Sequence, residues 1–381
     1  MPSIVPSQSP FAIHWALYPR TYLAPYSPGI AVIDGDLTKD EWSQVPWSDE
    51  FDDIRGAEDA PSDERPRPAC RTRVKMMWDD QYLYIGALLP SDFTTVATYT
   101  ERNSPIFQQD SDFEVFVDPP GSCHNYKEFE VNALNTVWNL LLDRPYNDGG
   151  AEHSGRIAKP GDDLYYDVKH QKSATRVIDG QLNDPIGGAT YSVEIAMAHS
   201  DVLARIPGSA PPSIGTRWRI NFSRVEKRGD INWTWQPQIA WDAVSHRFGG
   251  HVNMHLPDAW GYLVFGGPEK SMNEPIARDP TWPPRLAAMN VYYAQRQYRQ
   301  DNGSYATRLH MLTPLLHQAI VSPFQIEILS NDLPNKPFYT RQDPEPEFIV
   351  LVRGNPDGTV ITVTKNRLMQ VHWSKSNANV E

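Results

Sequence analysis

Between Asp110 and Asp143 the chain reads DSDFEVFVDPPGSCHNYKEFEVNALNTVWNLLLD, in which apolar residues alternate with acids and amides. Side chains of a strand alternate between its two faces. If Phe113, Val115, Phe129 and Val131 point into a core, Glu114, Glu128, Glu130 and Asn132 point away from it. The stretch GTRWRINFSRVE adds Arg219 and Asn221 to that outer side once Trp218, Ile220 and Phe222 point inward. Carboxylates and amides supply the acceptors and paired donors that a hydroxyl-rich ligand needs. Two carboxylates can also act as acid and base in glycoside cleavage, with their separation set by strand geometry. The plain alternative is a solvated face, as one-sided sheets carry by rule. Carboxylates and amides in place of the usual Lys and Thr favour a binding surface.

Further groups could join such a site. NWTWQPQIAW (232–241) holds Trp233, Trp235 and Trp241 around a proline. Aromatic faces stack on the C–H faces of sugar rings, so Trp235 and Trp241 are candidate platforms, the alternative being that they pin a loop to the core. GGHVNMHLPDAWG places His251, Asn253 and His255 at a spacing of two, able to reach one ligand or a transition metal, or simply to satisfy a loop. YTERNSPIFQQDSD contributes Arg102, Asp110 and Asp112. The hard oxygens of Asp110 and Asp112 suit calcium, although the spacing is not that of an EF-hand. Arg102 reads first as a structural ion pair and second as a fork for a ligand oxygen.

Composition narrows the classes. The 381 residues carry a formal net charge of -12, which argues against a nucleic-acid partner because phosphate binding wants clustered cations. There is no P-loop, no dinucleotide fingerprint, no nucleophile-elbow or zinc-protease motif, so no organic cofactor is expected and catalysis is a minority reading. The N-terminal MPSIVPSQSPFAIHW has neither the basic start nor the apolar run of a signal peptide, and no stretch suits a membrane span. The compartment is extracellular if a signal was removed before this numbering, cytoplasmic otherwise. Cys70 and Cys123 allow one disulfide without requiring it.

The elements that must position these groups are mostly strands. RTRVKMMWDDQYLYIGALL reads as a hairpin turning at Asp79–Asp80, and YSVEIAM, RWRINFSRVE and WGYLVF as further strands. AVIDGDLTKDEWSQVPW reads as a short strand, a Gly turn and a helical turn, with Asp36 or Thr38 as its cap. After Gly267 the pattern becomes helical, with Leu286, Met289 and Tyr293 on one stripe and DNG as its stop. FQIEIL, EFIVLVRG and TVITVTKN then read as strands, with RGNPDGT as a hairpin loop.

Taken in order, IDGDLTKDEWSQVPW, TRVKMMWDDQYLYIGALL, DSDFEVFVDP, YKEFEVNALNTVW, YSVEIAM, RWRINFSRVE and WGYLVF resemble carbohydrate-binding module family 9-like domains over about residues 31–267. The resemblance implies a sugar-binding β-sandwich, often with structural calcium. In the founding members a terminal sugar lies between two Trp rings and bonds to a Glu. That Glu matches Glu114; the aromatic before its strand matches Phe107. A family Arg falls near Glu130, reversing the charge, and Trp235 or Trp241 would supply the second ring. The expected architecture is mainly β: a Pro-rich arm (1–30), a two-sheet antiparallel, jelly-roll-like sandwich (31–267) and a small α+β domain (268–381). The expected function is saccharide binding through Glu114, Asn132, Trp235, Trp241, Arg102, Asn221, Phe107 and His255, with calcium at Asp110 and Asp112. The alternatives are an enzyme using paired carboxylates on the same scaffold, or a structural or adhesion module.

Overall fold

In the computed structural model, residues 9–30, 32–268, 276–330 and 347–373 are described. Fifteen strands precede the long helix among them: β1 (Thr21–Ala24), β2 (Asp52–Asp53), β3 (Arg73–Trp78), β4 (Tyr82–Leu89), β5 (Asp112–Asp118), β6 (Tyr126–Asn132), β7 (Val137–Leu142), β8 (Glu152–Ser154), β9 (Lys172–Gly180), β10 (Ala189–Ala198), β11 (Arg217–Glu226), β12 (Ile231–Thr234), β13 (Ile239–Asp242), β14 (Arg247–Gly250) and β15 (Gly261–Phe265). One sheet runs β1-β15-β11-β5-β6-β7-β8, with β12 bridging β11 and β2; the other runs β3-β4-β10-β9. β1 lies parallel to β15, and the other strand pairings are antiparallel.

The alternation decides what lies between the sheets. Phe113, Val115 and Val117 of β5, Phe129 and Val131 of β6, and Trp218, Ile220 and Phe222 of β11 meet Val74, Met76, Ile85, Ala87, Val193 and Ile195 from the facing sheet in one buried cluster. Each Val, Ile, Phe or Met side chain among them contributes about 1.5–3 kcal/mol by leaving water. The Asp79–Asp80 hairpin forms, with Asp79 Oδ1 accepting from the amides of Gln81 and Tyr82 at 2.7 Å each. The 32–36 stretch is not a strand, and the helical turn Asp40–Ser43 starts at Lys39 with no side-chain cap. Its Trp42 is held instead by the Glu194 carboxylate, 2.8 Å from Nε1.

The C-terminal region has its own core. The helix Trp282–Asn302 starts with prolines in its first turn and ends at Gly303, whose φ of 76° closes it in the left-handed region. Ala287, Ala288, Val291 and Tyr292 pack on the meander β16 (Gln325–Ser330), β17 (Phe348–Arg353), β18 (Val360–Thr364) and β19 (Met369–His372). The N-terminal arm reaches this core: His14 Nε2 lies 2.9 Å from the Ile320 carbonyl and Trp282 Nε1 donates to the His14 carbonyl at 2.8 Å. Cys70 and Cys123 are both buried free thiols, so the disulfide that two cysteines permit is not made. No helix among the described residues is long and apolar enough to cross a membrane.

Candidate functional site

The outer faces of β5 and β6 carry the acids, and β7 lies beside them. Pairing puts Glu114 opposite Glu130 and Phe116 opposite Glu128, and Glu130 in turn opposite Trp138. This face is not a wet back: β5, β6 and β7 are buried along their whole length. Ile54, Met254 and Trp260 come from distant loops to form a second apolar cluster with Phe116, Tyr126, Trp138, Leu140 and Leu142, and Phe107 packs against it. A cavity of about 560 Å³ remains beside this cluster, floored by Glu114, Glu128 and Glu130 and walled by Phe107, Tyr146, Glu152, Arg156 and His255.

Two kinds of surface meet there. Phe107 and Trp138 stack at 5.6 Å between ring centroids and 21° between planes, and the Arg156 guanidinium lies 4.9 Å from the Trp138 ring. Trp138 is thus enclosed, while Phe107 is half-buried and Tyr146 exposed. The ring of Tyr146 meets His255 edge-on at 4.7 Å, and His255 Nδ1 shares a hydrogen bond with the Tyr126 hydroxyl at 2.9 Å. Burial lowers the His255 pKa to about 4, so its imidazole is neutral near pH 7. Arg156 is ion-paired to Glu152.

The floor is electrostatically unusual. Burial, opposed by the Ser223 hydroxyl, raises Glu114 to about 7. Glu128 and Glu130 are pushed well above the carboxylate range by burial first and by the Glu114 charge second. Asp112, wholly buried on the same side of β5, rises for the same two reasons. Both oxygens of Asp112, Oε2 of Glu128, Oε2 of Glu130 and Nε1 of Trp138 are buried without a hydrogen-bonding partner. Such groups are costly to leave unmade. Acceptors and a waiting indole donor beside partly open rings fit a ring-shaped ligand rich in hydroxyls.

Residues 33–158 match the family described as carbohydrate family 9 binding domain-like. The family 9-like segment contains Phe107, all the floor carboxylates, Trp138, Tyr146, Glu152 and Arg156; His255 and Asn232 reach the cavity from beyond it. Solved structures similar to the chain include a family 9 carbohydrate-binding module from Caldicellulosiruptor kristjanssonii in complex with cellotriose, 18% identical, covering 68% of this chain and 100% of its own, with a TM-score of 0.38. The glucose complex of a family 9 module from that organism is 18% identical and covers 67% and 100%, with a TM-score of 0.37. A candidate carbohydrate-binding protein from Bacteroides uniformis is 13% identical and covers 65% and 99%, with a TM-score of 0.45. No curated protein matches the chain.

Of the residues singled out by sequence, Glu114, Phe107 and His255 line the cavity together with Glu128, Glu130 and Asn253. Asn132 does not: its Oδ1 accepts from the amides of Leu134 and Thr136 at 3.0 and 2.9 Å, and its Nδ2 donates to Asp110 at 2.7 Å, so it shapes the β6–β7 turn. Trp235 lies in the inter-sheet core against Phe222. Trp241 donates to the Leu315 carbonyl at 2.9 Å and serves the contact with the C-terminal region. Asn221 is spent on the Gln236 backbone, donating at 2.8 Å and accepting at 2.9 Å. Arg102 pairs with Asp167 at 2.7 Å, outside the cavity lining.

The calcium expectation splits. Asp110 accepts four hydrogen bonds, from the Thr98 amide and hydroxyl, the Tyr99 amide and Asn132, at 2.7–3.0 Å, which leaves it no capacity for a metal. Asp112 has both oxygens unspent. Sequence reasoning passed over Trp138, Tyr146, Glu152 and Arg156. Trp138 was within reach, since it alternates with Leu140 and Leu142 on the face that carries Glu130. Tyr146 and Arg156 sit in the segments before and after the short edge strand β8 that carries Glu152, and the fold of these segments over that face has no local signal.

Proposed function

We propose that this protein binds a saccharide in the cavity on the outer face of β5–β7. The observation that carries the reading is the combination, in one cavity of about 560 Å³, of partly open Phe107 and Tyr146 rings with unspent Glu128, Glu130 and Trp138 polar atoms. That volume lies within the roughly 300–1,000 Å³ typical of small-ligand sites. The rings would take the C–H faces of the sugar, the carboxyl groups its hydroxyls. Trp138 would contribute its indole N–H and prop Phe107 from behind. The family 9-like match over residues 33–158 supports the same reading.

Glucose and cellotriose are the first probes, followed by a glycan array to find the preferred sugar and calorimetry on that sugar. Phe107→Ala and Tyr146→Ala should each weaken binding by roughly threefold to tenfold, the usual range for one lost aromatic contact, and the double variant by more. Neither ring belongs to the inter-sheet core, so the melting temperature should hold to within a few degrees. Absence of saccharide binding by the intact protein, or a double variant that binds like the parent, would sink the proposal.

A further inference from the structure

One wall of the cavity is held from outside the sandwich. Tyr146 begins a single 3-10 turn, Tyr146–Asp148, which Gly149 closes with φ of 80°. Part of its hydrogen bonding is local: the Asp148 and Gly150 amides donate to the Pro145 carbonyl at 2.8 and 3.1 Å, and the Ala151 amide donates to Asp143 at 2.7 Å. Those bonds shape the turn but do not fix it over the sheet. The long-range polar contacts of the turn, among the described residues, all come from the C-terminal region. Arg367 donates from Nε to Asp148 at 2.8 Å, and Arg296 of the long helix donates to Asp148 at 2.8 Å and to the Asn147 carbonyl at 3.1 Å. The Tyr292 hydroxyl donates to Asp148 too. The Asp148 side chain is completely buried in this grip. Tyr146, two residues earlier, is 44% exposed, and its one ring contact among the described residues is with His255.

The other sides of the cavity do not depend on that region in the same way. Phe107 rests on Trp138 of β7. His255 is also near a C-terminal contact, since Asp258 accepts from Arg367 Nη1 at 2.7 Å and from the Tyr293 hydroxyl at 2.8 Å. Its loop, however, has anchors within the sandwich. The Tyr126 hydroxyl lies 2.9 Å from His255 Nδ1, Trp260 Nε1 donates to the Met254 carbonyl at 2.8 Å, and Arg219 donates to the Asp258 carbonyl at 2.8 Å. We propose that Arg367 and Arg296 are positioning residues for the saccharide site, through which the C-terminal region sets the Tyr146 ring over the cavity. The proposal rests on the saccharide reading for its effect on affinity, and on the contacts alone for its effect on the turn. The physical reason is preorganisation. A ring on an unanchored turn would have to be ordered by the ligand, and that cost would be subtracted from the binding. Arg367 suits the task because its planar fork reaches Asp148 and Asp258 at once, which the single ammonium of a lysine does not.

Arg367→Lys combined with Arg296→Gln keeps one positive charge beside the two aspartates and removes both the fork and the outer clamp. Hydrogen exchange in the ligand-free protein is the first readout. The Asp148, Gly149 and Gly150 amides should exchange about tenfold faster or more than in the parent, while those of β5 and β6 keep their rates. The second readout is calorimetry with glucose and with the glycan that binds tightest on the array. The variant should bind about threefold more weakly or worse, as the loss of a preorganised ring contact predicts. In a Tyr146→Ala background the same pair should cost less than about twofold, whereas in a Phe107→Ala background it should cost as much as in the parent. General loosening of the fold would weaken all three alike. If the double variant does not fold, Arg296→Gln alone, where the side chain is 40% exposed, is scored on the same readouts. Unchanged exchange across the turn overturns the proposal, and so does an affinity loss that persists without Tyr146. Saccharide binding that the variant leaves untouched keeps the saccharide reading standing and this one fallen. A parent that binds no saccharide removes the saccharide reading, and faster exchange confined to the turn then still upholds the positioning of Tyr146.

Discussion

Arg367→Met should destabilise the protein by about 3–5 kcal/mol, the cost of removing one partner from a buried ion pair and leaving the other. Arg367 sits in the β18–β19 turn, almost fully buried, with φ of 66°. Its Nε donates to Asp148 at 2.8 Å and its Nη1 to Asp258 at 2.7 Å and to the Tyr293 hydroxyl at 3.1 Å. Asp148 and Asp258 belong to loops of the sandwich, so a turn of the C-terminal sheet is fastened to both. Asp148 keeps Arg296 at 2.8 Å in the variant, but Asp258 loses its only charged partner among the described contacts. The non-glycine left-handed backbone at Arg367 is also costly, and these ion pairs are what hold it. Urea unfolding should show the loss as a lower midpoint. Adding Asp258→Asn should recover part of it, because the stranded charge is then gone. A variant that unfolds with the parent would mean that this contact does not fasten the C-terminal region to the sandwich.

That contact lay beyond what the sequence could show, and the reason is general to this chain. Local patterns were readable wherever one face of an element is apolar. Phe113, Val115 and Val117, the Asp79–Asp80 hairpin, and the helix stopped by Gly303 all lie where alternation or helical spacing placed them. The polar side of β5 and β6 was readable as a side but not as a buried one. What covers it, Ile54, Tyr146, Met254 and His255, comes from loops about 30 to 140 residues away from Glu114, and no periodicity encodes that return. Trp235 was misplaced for a related reason. Pro237 hides the strand character of Ile231–Thr234, so the inward parity shared by Trp233 and Trp235 was not recognised. Asn132 has the right parity for the site but stands at the strand's end, where a turn consumes its amide. Alternation gives the face; only the tertiary fold says which residues on it are free for a ligand.

The freedom of those carboxyl groups should be visible as a pH dependence. Glu114 and the carboxyl groups beside it should lower stability as the pH rises from 4.5 toward 8, opposite to the usual behaviour of carboxylates paired in the folded state, while the buried His255, held at about 4 in the folded protein, works the other way below pH 6.5. Glu114 titrates at an ordinary 4.5 when unfolded and at about 7 when folded. Between those values the folded form holds a proton that the unfolded form has released, so raising the pH favours unfolding. The stabilising proton is fully in place below pH 4.5 and lost as the pH passes about 7. The carboxyl groups around Glu114 act in the same direction: Asp112 on its own strand, Glu128 and Glu130 on β6, all raised by burial and by neighbouring carboxylates, with Glu226 on β11 acting on Asp112; His255 in the same cavity, lowered by burial, acts in the opposite one. Arg156 on the β8 side is paired with Glu152 and offsets little of this. Glu114→Gln should leave stability at pH 4.5 nearly unchanged and raise it at pH 8, so that its advantage over the parent grows with pH. The check is urea unfolding of parent and variant in chelator from pH 4.5 to 8. A variant whose profile runs parallel to the parent's would show that Glu114 is ionised and partnered in the folded protein.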